Sequence, residues 1–184
     1  DENGEVHNDQ AEKIEKTDDV TYKVTIKDDA VFSDGTPVTC ADYLLTFTAG
    51  QYPSIFGANM PLFDDTEALS CTPGSKEFTL TFKEDRGARW RGLFEPGTVL
   101  PAHAVAKKLG KSVDELVDDM LSDDFTRLKP VGEVWRNGFD LGAFDPELQV
   151  SFGPFKIDSV GDQGQVRLVA NEHYYGDAPQ TPEM

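Results

Sequence analysis

From Val20 to Lys27 apolar and polar residues alternate, with Val20, Tyr22, Val24 and Ile26 set against Thr21, Lys23, Thr25 and Lys27. That period of two predicts a strand with one face buried and one wet. Ser33-Asp34-Gly35-Thr36-Pro37 predicts a turn, because glycine tolerates positive φ and proline cannot donate to a ladder. Thr39 followed three residues later by Asp42 predicts a capped helix start, and Tyr43, Leu44 and Phe47 supply an apolar stripe at helical spacing. An ordinary α/β edge accounts for this run by itself, since pattern reports fold and not activity.

The same patterning continues downstream. Residues 1–19 are acidic and polar with few apolar anchors (Val6, Ala11, Ile14), which predicts an extended opening segment holding at most one weak strand. Residues 50–63 read as a loop with two prolines and several large apolar side chains, either pinned by burial or shaped for a ligand. Phe78, Leu80 and Phe82 alternate with Thr79, Thr81 and Lys83, a second half-buried strand suited to pair antiparallel with the first. A helix is predicted from Pro101 to Gly110 with Ala102, Val105, Ala106 and Leu109 buried, and another from Ser112 with Glu115 three residues on. Pro130 and Gly132 are expected to interrupt the chain beyond that second helix, with Trp135, Phe139 and Leu141 marking a further packed segment. Residues 152–159, the turn 161–164 and residues 165–170 predict a late hairpin, and residues 176–182 are turn-forming.

Composition narrows the class. The 184 residues include 12 Phe, 5 Tyr and 2 Trp, enough bulky apolar surface to argue against intrinsic disorder. Lys and Arg number 17 against 34 Asp and Glu, a net charge of −17, so phosphate backbones would be repelled and nucleic acid is not an expected partner. No apolar run approaches membrane-spanning length, and the first ten residues are the opposite of a signal peptide, so an exported protein would be seen here in processed or excised form.

Cys40 and Cys71 are the two cysteines. A bridge between them would close a loop of about 30 residues, for which loop-closure entropy gives roughly 3 to 4 kcal/mol. Two buried free thiols are the alternative, and both readings stand on spacing alone.

Reactive constellations are missing. His7, His103 and His173 lie far apart, and none sits in a metal-ligand spacing, so no metal and no cofactor is expected. There is no GxSxG, P-loop or GxGxxG pattern. Asp118-Asp119 and Asp123-Asp124 lack calcium-loop spacing and read as solvated helix faces and caps. Arg86, Arg89 and Arg91 beside Trp90 and Phe94 form a local basic cluster that suits carboxylate binding, or pairing with nearby acids and packing along aromatic surface. With no catalytic residue marked, binding is favoured over enzymatic activity.

Four segments in order, TYKVTIKDDAVFSDGTPVTCADYLLTF, ARWRGLFEPGTVLPAHAVAKKLG, KPVGEVWRNGFDLG and FGPFKIDSV with VRLVANEHYYGDAP, resemble the extracellular solute-binding proteins of family 5, the receptors of peptide-type ABC importers. The resemblance implies an α/β (mixed α+β) fold of the type II periplasmic-binding-protein kind, with a mixed sheet and flanking helices. Residues 1–150 would be the second domain of the first lobe. Residues 151–184 would be an incomplete domain, a hairpin returning toward the hinge. Cys40 stands where the family usually has a small residue such as Ala, which fits a local disulfide with Cys71, and Phe155 replaces the more usual Tyr.

The same resemblance implies a substrate-binding component outside the cytoplasmic membrane, periplasmic, secreted or lipid-anchored. It would capture oligopeptides or a similar small solute for ABC permease subunits. The remaining lobe of the parent protein would be a further partner, and the fragment alone could not close over a ligand. Within it, Tyr52, Phe56 and Asn59, on the loop after the first helix, are the candidates for lining the ligand, with plugging of the domain's own core as their competing role. The alternative from another class is a stand-alone acidic extracellular interaction module, which would need a large exposed apolar patch. A hydrolase, suggested only by the abundance of carboxylates and the arginines, is the third.

Overall fold

A computed structural model describes residues 11–85, 92–94 and 97–184 of the chain. His7 and the cluster of Arg86, Arg89, Arg91 and Trp90 lie outside the described residues.

Four strands, β1 (Glu12–Lys16), β2 (Thr21–Ile26), β3 (Thr66–Ser70) and β4 (Glu77–Phe82), form one sheet in the order β1-β2-β4-β3. The alternation of β2 and β4 sets their register: Tyr22 lies opposite Leu80 and Val24 opposite Phe78, so the buried residues of both strands share one face. Each such side chain, fully buried, contributes roughly 1.5 to 3 kcal/mol. All pairings among the described residues are antiparallel. The expected mix of strand directions is therefore corrected to an antiparallel sheet, while the α+β class holds.

Against the buried face lies α1 (Cys40–Gln51). Every residue from Cys40 to Gly50 is buried, so this helix is not amphipathic with one stripe but enclosed all round. Its sheet side packs Tyr43 on Phe78 at 5.1 Å, and Phe94 closes the same aromatic cluster edge-on to Tyr43 at 5.0 Å. Tyr43 donates its hydroxyl to Glu12 at 2.9 Å, and burial pushes the Glu12 carboxyl above its ordinary range against that bond.

The other side of α1 meets α3 (Ala102–Leu109) and α4 (Val113–Leu121), with α5 (Phe125–Gly138) packed on both of these. Gly110 ends α3 in the left-handed region at φ 67°, and Ser112 with Glu115 caps α4 reciprocally. The interruption expected at Pro130 does not occur, because α5 runs through it from Phe125 to Gly138. Its Asp124 cap accepts from the Thr126 N–H at 2.8 Å, and Leu128 and Val131 are wholly buried. These outweigh the one ladder bond a proline removes. Asp119 is also corrected: it is not solvated but 3% exposed, held between Lys111 and Arg127. Burial would raise its carboxyl, yet the two cations hold it below the ordinary range.

The late hairpin forms as β5 (Phe155–Val160) and β6 (Val166–Ala170), a separate two-stranded sheet. Asn171, 4% exposed, fastens it by donating to the Ser151 and Gly153 carbonyls at 3.2 and 2.9 Å. Ser33 N–H in turn donates to the Ser151 carbonyl at 2.8 Å, and Phe32 meets Phe152 edge-on at 5.4 Å. The Ser33–Thr36 turn thus anchors the returning chain. His103 also reaches that turn, 2.7 Å from the Asp34 carboxylate.

The cysteines form a disulfide with 5.6 Å between Cα atoms. It ties the first residue of α1 to the end of β3.

Candidate functional site

The loop that follows α1 is more ordered than its prolines suggest. Tyr52 ends α1 and starts a short helix, α2 (Pro53–Phe56), with Pro53 at its first position, where a missing N–H costs nothing. Gly57 closes α2 at φ 65°, its N–H donating to the Pro53 carbonyl at 2.8 Å. A single 3-10 turn, Pro61–Asp65, then leads into β3.

This loop rests on α5. Gly132 is the reason it can: a Cβ there would lie 2.7 Å from both the carbonyl oxygen and Cγ2 of Ile55. Arg136, one turn further, donates to the same Ile55 carbonyl.

The three candidate side chains divide. Phe56 is 1% exposed and meets Trp135 edge-on at 5.9 Å, a core position beneath the surface. Tyr52 is half-buried, its ring edge-on to Phe125 at 5.6 Å and its hydroxyl donating to the Asp123 carboxylate. Partial burial, together with the hydrogen bond and charge of Asp123, pushes the Tyr52 phenol up to about 12. Asn59 is exposed, and its side chain makes no hydrogen bond among the described residues.

Sequence reasoning missed Asp123 and Phe125. Asp123 has φ 54°, and Phe125 and Leu121 are 61% and 47% exposed. The available signal was a pair of aspartates directly before an aromatic, a cap followed by a residue with no helical partner for burial. Tyr52 and Phe125 make an apolar aromatic surface, with the Asp123 carboxylate at its edge on the Tyr52 hydroxyl. Such a surface can stack on or cover an apolar side chain and accept hydrogen bonds from a peptide-like ligand. No group of three or more metal-ligating side chains occurs among the described residues.

Solved structures share the fold. The periplasmic EDTA-binding protein EppA superposes with a TM-score of 0.69 at 24% identity, over 96% of this chain and 29% of its own. An oligopeptide-binding protein from Thermus thermophilus, solved with a pentapeptide, superposes with a TM-score of 0.56 at 20% identity, over 98% of this chain and 29% of its own. Both likenesses are of fold.

The chain belongs to the bacterial extracellular solute-binding proteins, family 5, whose middle region it matches over residues 5–183. An uncharacterized lipoprotein of Mycobacterium tuberculosis is 35% identical over 159 residues, 82% of this chain and 28% of its own length. One of Mycobacterium leprae is 34% identical over 155 residues, with 82% and 27% covered. The chain thus spans little more than a quarter of these relatives. Membership of an extracellular family places it outside the cytoplasm, where a disulfide persists.

Proposed function

We propose that the chain is part of the substrate-binding component of an ABC importer, which captures oligopeptides or a chemically similar solute outside the membrane and delivers them to the permease. The observation that carries this reading is the family match across residues 5–183. The role is binding without catalysis. Residues up to 150 form the second domain of the first lobe, and residues 151–184 return toward the hinge. Tyr52 and Asn59 face the solute, with Phe56 behind them as the buried support of their loop. The rest of the parent protein supplies the opposing lobe.

The stand-alone interaction module has less support. Among the described residues the exposed large hydrophobics are Leu121, Phe125 and Met184, a smaller apolar area than an adhesion face needs.

The test is peptide titration of the full-length parent, followed by intrinsic tryptophan fluorescence. Saturable binding is expected, weakened by Tyr52→Ala and by Asn59→Ala, whereas the 184-residue chain alone binds weakly or not at all. A parent that ignores peptides, sugars and metal chelates alike would remove the transport reading. Variants that bind as the parent does would remove the assignment of the loop.

A further inference from the structure

A groove of about 440 Å³ opens between α3, α5 and the segment that follows α5, a volume within the range of small-molecule sites. Its apolar lining includes Leu109, Val134 and Leu148. Leu148 is 2% exposed and lies tight against α5 because residue 138 is glycine: a Cβ there would overlap its side chain.

The polar groups of the groove are unequal. Lys108 is engaged by Asp145, which cancels its charge locally. Glu133 is exposed and makes no ion pair among the described residues, although Lys129 stands one turn before it on α5. Asn137, one turn after Glu133, has a side chain without a hydrogen bond among the described residues. The groove therefore presents one uncompensated carboxylate and one free amide beside an apolar wall. An anionic ligand would meet the uncompensated charge of Glu133. A neutral apolar ligand would leave Glu133 unused.

From this complementarity we infer that the groove binds a small organic monocation, a primary ammonium carried on a short aliphatic or aromatic body. The ammonium sits on Glu133, with the Asn137 side-chain oxygen as second acceptor. The body covers Leu109, Val134 and Leu148. This site is built from α3 and α5 and shares no residue with the Tyr52 loop.

The probe is n-hexylammonium, compared with hexan-1-ol and hexanoate, and the readout is methyl NMR of the chain labelled at Leu and Val. Hexylammonium is expected to shift the methyls of Leu109, Val134 and Leu148 and to bind at least about fivefold more tightly than the alcohol, the effect of one charge-assisted contact near solvent. Hexanoate is expected to leave them unmoved. Glu133→Gln should bring hexylammonium to the level of hexanol, and Tyr52→Ala should leave the titration unchanged. Equal responses to amine and alcohol, shifts confined to other methyls, an undiminished response in Glu133→Gln or no response at all would each overturn the inference.

Discussion

The Asp42 carboxylate joins the starts of two helices. One oxygen accepts from the Ala102 N–H at 2.7 Å, and the other accepts from the Thr39 N–H at 2.8 Å. Asp42 is 2% exposed, so a residue that looks like a local cap is also a long-range tie across 60 positions of sequence. Both donors are orphan groups of helix termini, which an acceptor in a dry interior must satisfy.

That tie makes stability depend on pH with a definite sign. Burial pushes the Asp42 carboxyl up from 3.8 to about 7, against the pull of the Thr39 and Ala102 N–H groups and Lys76. Below the unfolded value both states hold the proton. As pH rises from about 4 the unfolded chain releases it while the folded chain keeps it until about 7, so stability falls across that window and then levels. The slope from this group is at most about 1.4 kcal/mol per pH unit. Urea unfolding at a series of pH values should show this slope in the wild type and its loss in Asp42→Asn. Parallel curves for the two proteins would refute the assignment.

The disulfide offers a simpler measurement. Cys40 begins α1 and its N–H donates to the Ser75 carbonyl at 2.9 Å, so the bridge reinforces a contact the backbone already makes. Replacing both cysteines by alanine should cost about 3 kcal/mol, chiefly through the freedom returned to the unfolded chain. Denaturant unfolding checks it, and an unchanged midpoint would show that the backbone contacts suffice.

Much of this architecture was legible from local pattern. β2, β4, the caps of α1 and α4, the Gly110 stop and the late hairpin depend on alternation, helical spacing and turn chemistry, which act within a few residues. The features that escaped depend on contacts distant in sequence. Pro130 and Gly132 look like breakers until Ile55 is placed against α5, when the glycine becomes a requirement of packing. Asp119 looks solvated until Arg127 folds onto it. Tyr52 is marked by its loop, but its partners Asp123 and Phe125 are about 70 residues away, and their local cap pattern does not say that they meet it.

Gly132→Ala tests the seat of the Tyr52 loop. The added Cβ would stand 2.7 Å from the Ile55 carbonyl oxygen, a backbone atom that cannot rotate away. A loss of about 1 to 3 kcal/mol is expected from this overpacking. Hydrogen exchange should rise selectively at Ile55, Phe56 and Gly57, whose N–H groups bond within α2. Uniform destabilisation without that local signature would place the strain elsewhere.

Asp123→Asn probes the Tyr52 surface without rebuilding it, because asparagine tolerates the φ of 54° as well as aspartate does. In the wild type the Tyr52 phenol is pushed up to about 12, by partial burial and by the bond and charge of Asp123. A raised phenol gives stability that is complete below about 10 and is lost as pH rises through 12. Removing the Asp123 charge should let one tyrosine ionise earlier in a phenolate absorbance titration, and should make the alkaline loss of stability smaller and complete at a lower pH, with its onset unchanged. Superimposable titrations would mean that Asp123 does not govern this hydroxyl.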